Sequence, residues 1–309
     1  MGYLTTEQME NTVQAASSAL LDYCVQFGIH HIVTGASGGL DSDVTLALAG
    51  IACEEARKVG YSLTSIGAVL PCESTKESIE LGRLSIETTG SRLFYEDLTP
   101  TFDCLKRTLV PSVRAKTRGI LLETHGEKAL EYWEDSERVA QGNIKARLRM
   151  ITLYDIARMN RGMVLSTDNL SEFLMAFWTR HGDEGDFGMI RNIFKGLELY
   201  DIAAYLKRPK EIREAEPNDG LDVAGSDEEQ LGGSYLTIDE VMVELIQRGF
   251  DPDGLLEQLD DLPKIRGVDS ERVKNLAARS LFGFFKRAGC VTLSRKQLRL
   301  PEIKNIPLD

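Results

Sequence analysis

The sequence predicts an α/β fold, a doubly wound, mostly parallel sheet with helices on both faces and a C-terminal helical annex. Three observations predict it. Strand-like runs at Ile32–Gly35, Ser65–Pro71, Arg92–Tyr95 and Met163–Ser166 alternate with helical stretches, as in a parallel sheet covered on both sides. A Gly-rich octet, residues 35–42, joins the first run to an apolar-periodic segment. The last third shows helical periodicity with no further strand-like run. At 309 residues, 42% hydrophobic, the chain can bury one large core.

The elements follow in order. A leading helix occupies residues 1–28. Met9, Val13, Ala16, Leu20 and Cys24 line one side from Thr5 to Phe27, Thr5 and Gln8 are spaced as a capping box, and Gly28 is a stop. The run His31-Ile32-Val33-Thr34 reads as a buried strand, and Val44, Ala47, Leu48 and Ile51 as one helix face. They open an α/β core over 29–200. Within it, residues 96–141 read as charged helix and loop without a motif. A helix opens at Gly142, and another carries Leu170, Phe173, Leu174, Phe177 and Trp178. Residues 208–233 are polar, acidic and Gly-rich, a composition of mobile surface segments and lids. The annex, 234–295, contains helices at Ile238–Arg248, Gly254–Leu259 and Asp269–Ala288. The last carries a core-facing stripe of Val273, Leu276, Ala277, Ser280, Leu281, Phe284 and Phe285.

Composition excludes several classes. No apolar run approaches the ~18 residues of a membrane span, and residues 1–28 lack a basic region followed by an apolar block. The default location is the cytoplasm. Cys24, Cys53, Cys72, Cys104 and Cys290 show no C-x-x-C spacing, so neither a zinc site nor a disulfide framework is indicated. A net charge of −12 argues against a nucleic-acid surface, and any anionic ligand must be met by a local concentration of Lys and Arg.

The octet, Gly35-Ala36-Ser37-Gly38-Gly39-Leu40-Asp41-Ser42, is a strand-to-helix turn whose glycines admit a ligand to the backbone. The free N–H groups of the first helical turn attract anions. A Walker loop is excluded because no Lys closes it, and a dinucleotide fingerprint because the glycine spacing is wrong. The G-x-S-x-G pattern admits a hydrolase elbow at Ser37, with Asp168 and His181 as candidate partners. That reading lacks an oxyanion segment and leaves Asp41-Ser42 without a task. An ordinary Gly-rich turn capped by Asp41 is the other alternative.

The run Ser37-Gly38-Gly39-Leu40-Asp41-Ser42 resembles the S-G-G-x-D-S loop of the N-type ATP pyrophosphatases, which cleave ATP between the α and β phosphates. Backbone N–H groups there can cradle pyrophosphate, and a carboxylate at Asp41 is a hard oxygen ligand for Mg²⁺. The segment Gly142-Asn143-Ile144-Lys145-Ala146-Arg147-Leu148-Arg149-Met150 is similar to the G-N-x-x-A-R-x-R-M segment of the NAD synthetases, members of that group. Taken alone, Lys145, Arg147 and Arg149 would be a solvated basic face. Residues 167–172, Thr167-Asp168-Asn169-Leu170-Ser171-Glu172, resemble the family's T-D-x-x-x-E segment. The same spacing makes Asn169 and Glu172 a capping box. The stretch Trp178–Lys195 resembles the segment G-D-G-x-x-D followed by Lys. Arg180 stands in place of a Lys, Asn218 in Glu216-Pro217-Asn218 replaces a Thr or Ser, and Phe285 in Phe285-Lys286-Arg287 replaces a His. Since Phe285 also falls on the apolar stripe, packing is its other reading.

The resemblance implies an α/β ATP pyrophosphatase fold and a set of roles. ATP would be held by residues 35–42, Thr167, Lys195 and Asn218, and Mg²⁺ by Asp41 and Glu172. Asp41 and Lys195 would serve catalysis, and Arg147, Arg180, Asp186, Phe285 and Lys286 would bind deamido-NAD. The implied reaction is amidation of the nicotinate carboxylate by ammonia through an adenylate. With 34 residues ahead of the octet, free ammonia or a separate glutaminase is the expected nitrogen source, and a homodimer the expected assembly. A pyrophosphatase ligase acting on another carboxylate, a Ser37 hydrolase and a noncatalytic nucleotide-binding module are the alternatives.

Overall fold

Near-continuous buried runs along short strands require cover on two sides, and the chain supplies it with helices packed on both faces of one parallel sheet. The computed structural model describes residues 2–131, 133–218 and 225–288. Cys290, the end of the annex from 289 and residues 219–224 of the polar segment lie outside the described residues. The strands are β1 (His31–Gly35), β2 (Thr64–Val69), β3 (Arg92–Tyr95), β4 (Met163–Ser166) and β5 (Phe187–Gly188), in the order β3-β2-β1-β4-β5. The four expected strands are present. β5, with two residues, is too short to carry a periodicity and exists through its pairing with Leu165 and Ser166 of β4.

The helices are α1 (Thr6–Phe27), α2 (Leu40–Lys58), α3 (Lys76–Thr89), α4 (Thr99–Arg107), α5 (Leu109–His125), α6 (Trp133–Met159) and α7 (Leu170–Leu174). A one-turn π-helix, Lys195–Leu199, runs into α8 (Tyr200–Tyr205). Then come α9 (Lys210–Arg213), α10 (Asp227–Leu231), α11 (Tyr235–Gln247), α12 (Ser270–Phe282) and α13 (Phe284–Arg287). The Thr5–Gln8 capping box forms, and Gly28 ends α1 in the left-handed region. Successive residues of β1 point to opposite faces. Ile32 packs with Leu20, Cys24 and Ala52 from α1 and α2, and Val33 with Phe102, Met150, Leu153 and Ile156 from α4 and α6. No helix among the described residues is long and apolar enough to cross a membrane.

The strand order reverses between β1 and β4, the crevice where open α/β sheets bind ligands beyond the carboxyl ends of their strands. The octet leaves β1 there, and Thr167-Asp168-Asn169 leaves β4 beside it. The annex builds its own core from Ile238, Val241, Met242 and Leu245 of α11 and Val273, Leu276 and Leu281 of α12, closed onto Leu174 and Met175.

Three expectations are corrected. The helix expected to open at Gly142 begins at Trp133, with Gly142 buried in its interior. Glu, Gln, Arg and Ala upstream are strong helix formers, and one internal glycine costs only about 1 kcal/mol. The helix of Leu170 stops at Leu174, before Phe177 and Trp178, since Ala176 takes a positive φ of 50°. The long helix expected to end at Ala288 breaks at Gly283, and Phe284 and Phe285 are exposed rather than part of the core stripe. The polar segment 208–233 is anchored at both ends, where Ile212 and Leu231 are buried.

Its first residue carries the strongest anchor. The Arg208 guanidinium meets the fully buried Asp43 carboxylate through two bonds, Nε at 2.8 Å and Nη2 at 2.7 Å, and Nη2 also reaches Thr88 Oγ1 at 2.7 Å. This clamps α2, just past the octet, to the start of the segment leading to Asn218. Removing one partner strands a buried charge, so Arg208→Ala is expected to lower stability by about 3–5 kcal/mol, measured by urea unfolding. Loss of under about 1 kcal/mol, the scale of an exposed pair, would show that the clamp does not hold the fold.

Candidate active site

The octet needs its glycines for specific reasons. Gly38 has φ +91°, and a Cβ there would lie 2.6 Å from the carbonyl oxygen of Ser78 and 3.0 Å from Leu81 Cβ. Gly39 is the N-cap of α2 and offers no side-chain cap. Within the turn the Ser37 and Ser42 hydroxyls are 3.1 Å apart, Gly39 N–H donates to Ser37 Oγ at 3.2 Å, and Ser42 Oγ donates to Gly39 O at 3.0 Å. Gly35 and Ala36 enter the turn, and Ala36 N–H continues the sheet to Ala68 O at 2.8 Å. Leu40 is buried and anchors the helix start. Ser37 makes no hydrogen bond to a histidine among the described residues. Asp168 is engaged by Ser166 Oγ at 3.0 Å and Arg191 Nη1 at 3.3 Å, while His181 lines a different cavity. The hydrolase elbow is therefore not assembled.

Asp41, in the first turn of α2, is the hub. Its Oδ1 accepts from Asn169 Nδ2 at 2.7 Å and its Oδ2 pairs with Lys195 Nζ at 2.7 Å. Glu172 Oε1 is 3.5 Å from the same ammonium and 3.2 Å from the Tyr235 hydroxyl, which is also 3.4 Å from Asp227 Oδ2. The Lys195 ammonium lies 4.3 Å over the Tyr235 ring. Both readings of Glu172 have support, because the capping box with Asn169 is present but its return bond to Asn169 N–H is long, 3.5 Å.

Electrostatics follow from burial. Desolvation, with Asp41 beside it, pushes Glu172 well above the usual carboxylate range. Desolvation opposes the Lys195 charge, yet Asp41 and Glu172 outweigh it and raise that ammonium further. The π-helix that carries Lys195 has its leading N–H groups satisfied. Phe194 N–H donates to Glu198 at 2.8 Å, Lys195 N–H to Ser171 Oγ at 2.9 Å, and Gly196 and Leu197 N–H to Asp239 Oδ2 at 2.7 and 3.3 Å. Burial pushes the Asp239 carboxyl up to about 6.

Among the described residues, no group of three or more His, Cys, Asp or Glu could by itself hold a metal ion. Two carboxylates nevertheless converge on one cationic point, now filled by the Lys195 ammonium. That donor set fits Mg²⁺, which takes one or two protein carboxylates and completes its shell with water and substrate phosphate.

The basic segment of α6 divides. Lys145 is buried and pairs with Glu73 at 3.0 Å, and Arg149 donates to Leu70 O and Ser74 Oγ, each at 3.3 Å. Arg147 points the other way and donates to Arg180 O at 3.2 Å, while Arg180 Nη1 donates to Phe285 O at 3.3 Å. Lys286 donates to the carbonyls of Ala176 and Trp178 at 2.8 and 2.7 Å. A cavity of about 590 Å³ opens here, lined by Arg147, Met150, Ile151, Tyr154, His181 and Glu184. Arg147, Arg180, Phe285 and Lys286 are thus brought into one neighbourhood. Asp186 differs, since its carboxylate already accepts from Tyr154 Oη and Val164 N–H, both at 2.9 Å, and so braces β5 against β4. Thr167 stands half-buried at the exit of β4. Asn218 is exposed, but the neighbouring Pro217 O accepts from Asp227 N–H at 3.0 Å, which ties that segment to the carboxylate cluster.

Sequence reading missed Tyr235, Asp227 and Asp239. A signal existed for two of them, because Tyr235 and Asp239 sit one turn apart at stripe positions of an otherwise apolar helix face. Burial raises the Asp168 carboxyl to about 7, with Asp183 adding to the effect. The folded state therefore binds the extra proton between the usual carboxylate range and about 7, and the stability tied to that proton is lost as pH rises through this window. The ligand-free thermal midpoint is expected to fall between about pH 5 and about pH 8, and to fall less in Asp168→Asn. Equal slopes in scanning calorimetry would contradict this.

The NAD synthase family model matches residues 12–288, a span that contains every family-like segment discussed above. The NH3-dependent NAD+ synthetase of Alkaliphilus oremlandii is 30% identical over 238 residues, covering 77% of this chain and 86% of that protein. The NMN synthetase structure from Francisella tularensis aligns with a TM-score of 0.66 at 23% identity, covering 93% of this chain and 98% of that one. The NH3-dependent NAD synthetase structure from Campylobacter jejuni aligns at 0.63 and 21%, covering 93% and 99%. These two show a shared fold; the family match and the curated relative go further, and the chain belongs to the NAD synthase family.

Proposed function

We propose that this protein joins ammonia to the nicotinate carboxylate of deamido-NAD at the expense of ATP, giving NAD, AMP and pyrophosphate. The observation that carries the reading is the convergence of Asp41, Glu172 and Lys195 beside the octet, at the switch point of the sheet. A carboxylate is resonance-stabilised and does not accept an amine at neutral pH, so it must first become a mixed anhydride. The carboxylate oxygen attacks the α-phosphorus, the bond to the bridging oxygen breaks, and pyrophosphate leaves into the turn of residues 37–42. Ammonia then attacks the carbonyl carbon, AMP departs with the bonding pair, and the nitrogen loses a proton.

The residues divide the work by charge. Ser37, Ser42 and the N–H groups at the start of α2 bind the departing pyrophosphate. Lys195 supplies a fixed positive charge to phosphate oxygens as charge develops on them. Asp41 and Glu172 would hold Mg²⁺, which when bound neutralises phosphate charge. Thr167 and Asn218 flank the nucleotide, while Arg147, which lines the 590 Å³ cavity, meets the anionic acid substrate together with Arg180 and Lys286. Asp186 takes a bracing role at that cavity's edge. A homodimer is the assembly that accompanies this reading. Ammonia, free or delivered by a separate glutaminase, is the nitrogen donor.

Incubation with ATP, Mg²⁺, ammonium and deamido-NAD is expected to give NAD and AMP in equal amounts. NMN is the Francisella enzyme's named product, so nicotinate mononucleotide is the control acid; its preferential amidation would replace the proposed substrate. Lys195→Met is expected to lower kcat by about 10²–10³-fold, the scale of a lost transition-state donor. An unchanged kcat would remove Lys195 from the chemistry.

A further inference from the structure

The site contains one fully buried aromatic hydroxyl that the reaction scheme leaves unused. Tyr235 is 1% exposed on α11, among Ile238, Val241 and Met242 of the annex core. A phenylalanine would fill the same space without the desolvation cost of a phenol. Burying the hydroxyl needs a reason, and its surroundings provide one.

The Tyr235 hydroxyl contacts Glu172 Oε1 at 3.2 Å and Asp227 Oδ2 at 3.4 Å, and its ring lies 4.3 Å below the Lys195 ammonium. The contacts of Glu172 Oε2 do not fix that carboxylate, since its cap bond is at the outer limit of hydrogen-bond length. Lys195 has rotatable bonds enough to leave its cluster, and the ring gives its ammonium an attractive but undirected seat. One residue therefore touches both a carboxylate assigned to the metal and the ammonium assigned to phosphate. The backbone of the Lys195 turn is held from the same helix face, one turn along, by Asp239.

We propose that Tyr235 is a positioning residue of this site, its hydroxyl aiming Glu172 at the divalent cation and its ring holding the Lys195 ammonium ready for nucleotide phosphate. The proposal rests on the reading of Asp41 and Glu172 as the Mg²⁺-holding pair. One phenol hydrogen lies within reach of two carboxylates, so the hydroxyl donates to one of them at a time. Glu172 turns fully to the cation only when Asp227 does not compete for that hydrogen. The annex thereby helps assemble the metal site from a separate core.

The test is Mn²⁺ binding to the intact protein with a non-hydrolysable ATP analogue, followed by electron paramagnetic resonance. Tyr235→Phe keeps the ring and the packing, and is expected to weaken Mn²⁺ about tenfold, the lower end of the loss seen when partners orienting metal ligands are removed. The KM for deamido-NAD and the thermal midpoint should stay as in wild type. In a Glu172→Gln background the same change should have no further effect, because the hydroxyl acts through Glu172. Wild-type Mn²⁺ affinity in Tyr235→Phe, or an equal loss in both backgrounds, would overturn the proposal. Asp41→Asn separates the two readings: if it also binds Mn²⁺ as wild type does, the metal assignment itself fails. If only Asp41→Asn loses binding, the metal assignment stands and the role of Tyr235 falls.

Discussion

One buried ammonium ties together the charges of three pieces of chain that are far apart in sequence. Lys195 comes from a π-helix, Asp41 from the first turn of α2 and Glu172 from α7, and they converge within 3.5 Å at the carboxyl edge of the sheet. A charge removed from water is tolerable only when opposite charges surround it. The carboxylates hold the ammonium charged despite its burial, and the ammonium offsets part of their mutual repulsion. The same carboxylates suit a divalent cation and the same ammonium suits phosphate. The ligand-free arrangement is thus held together by the same charges that substrate and cation would engage.

That convergence depends on support from elements further out. The π-helix leaves unpaired N–H groups at its start, and Ser171, Glu198 and Asp239 accept all four of them. A Cβ on Gly196 would collide with the backbone of Tyr235 and Leu236, so the turn can lie directly on the start of α11 only because that residue has no side chain. The annex is consequently part of the active site's frame, although its core is separate from those of the sheet. On the other flank, Arg208 and Asp43 fix the octet's helix to the segment that leads to Asn218.

The proposed acid-binding side is built on different terms. Arg147 and Lys286 donate to main-chain carbonyls, as does Arg180 Nη1. Cations held by carbonyl dipoles keep most of their positive field, which an anionic substrate needs in a protein of net charge −12. Of the two residues assigned to substrate by motif position alone, Asp186 bonds Tyr154 and β4 in this structure, and Phe285 is exposed with its carbonyl accepting from Arg180.

The sequence by itself determined the four principal strands, the leading helix with its cap and the turn of residues 35–42, each written in a local pattern: a run of apolar residues, a cap spacing, a glycine that alone tolerates a positive φ. The candidates Asp41, Glu172 and Lys195 came instead from the resemblance of their segments to the family's motifs. The tertiary structure decided what local patterns do not encode. It divided Lys145 and Arg149 from Arg147 because residues two apart on a helix face different ways. It extended α6 past Gly142, gave β5 its existence through β4, and placed Tyr235, Asp227 and Asp239 at the site. Those last contacts span up to 63 residues in the chain, and a pairing made across such a distance is set by how the annex packs on the core, which no local periodicity records.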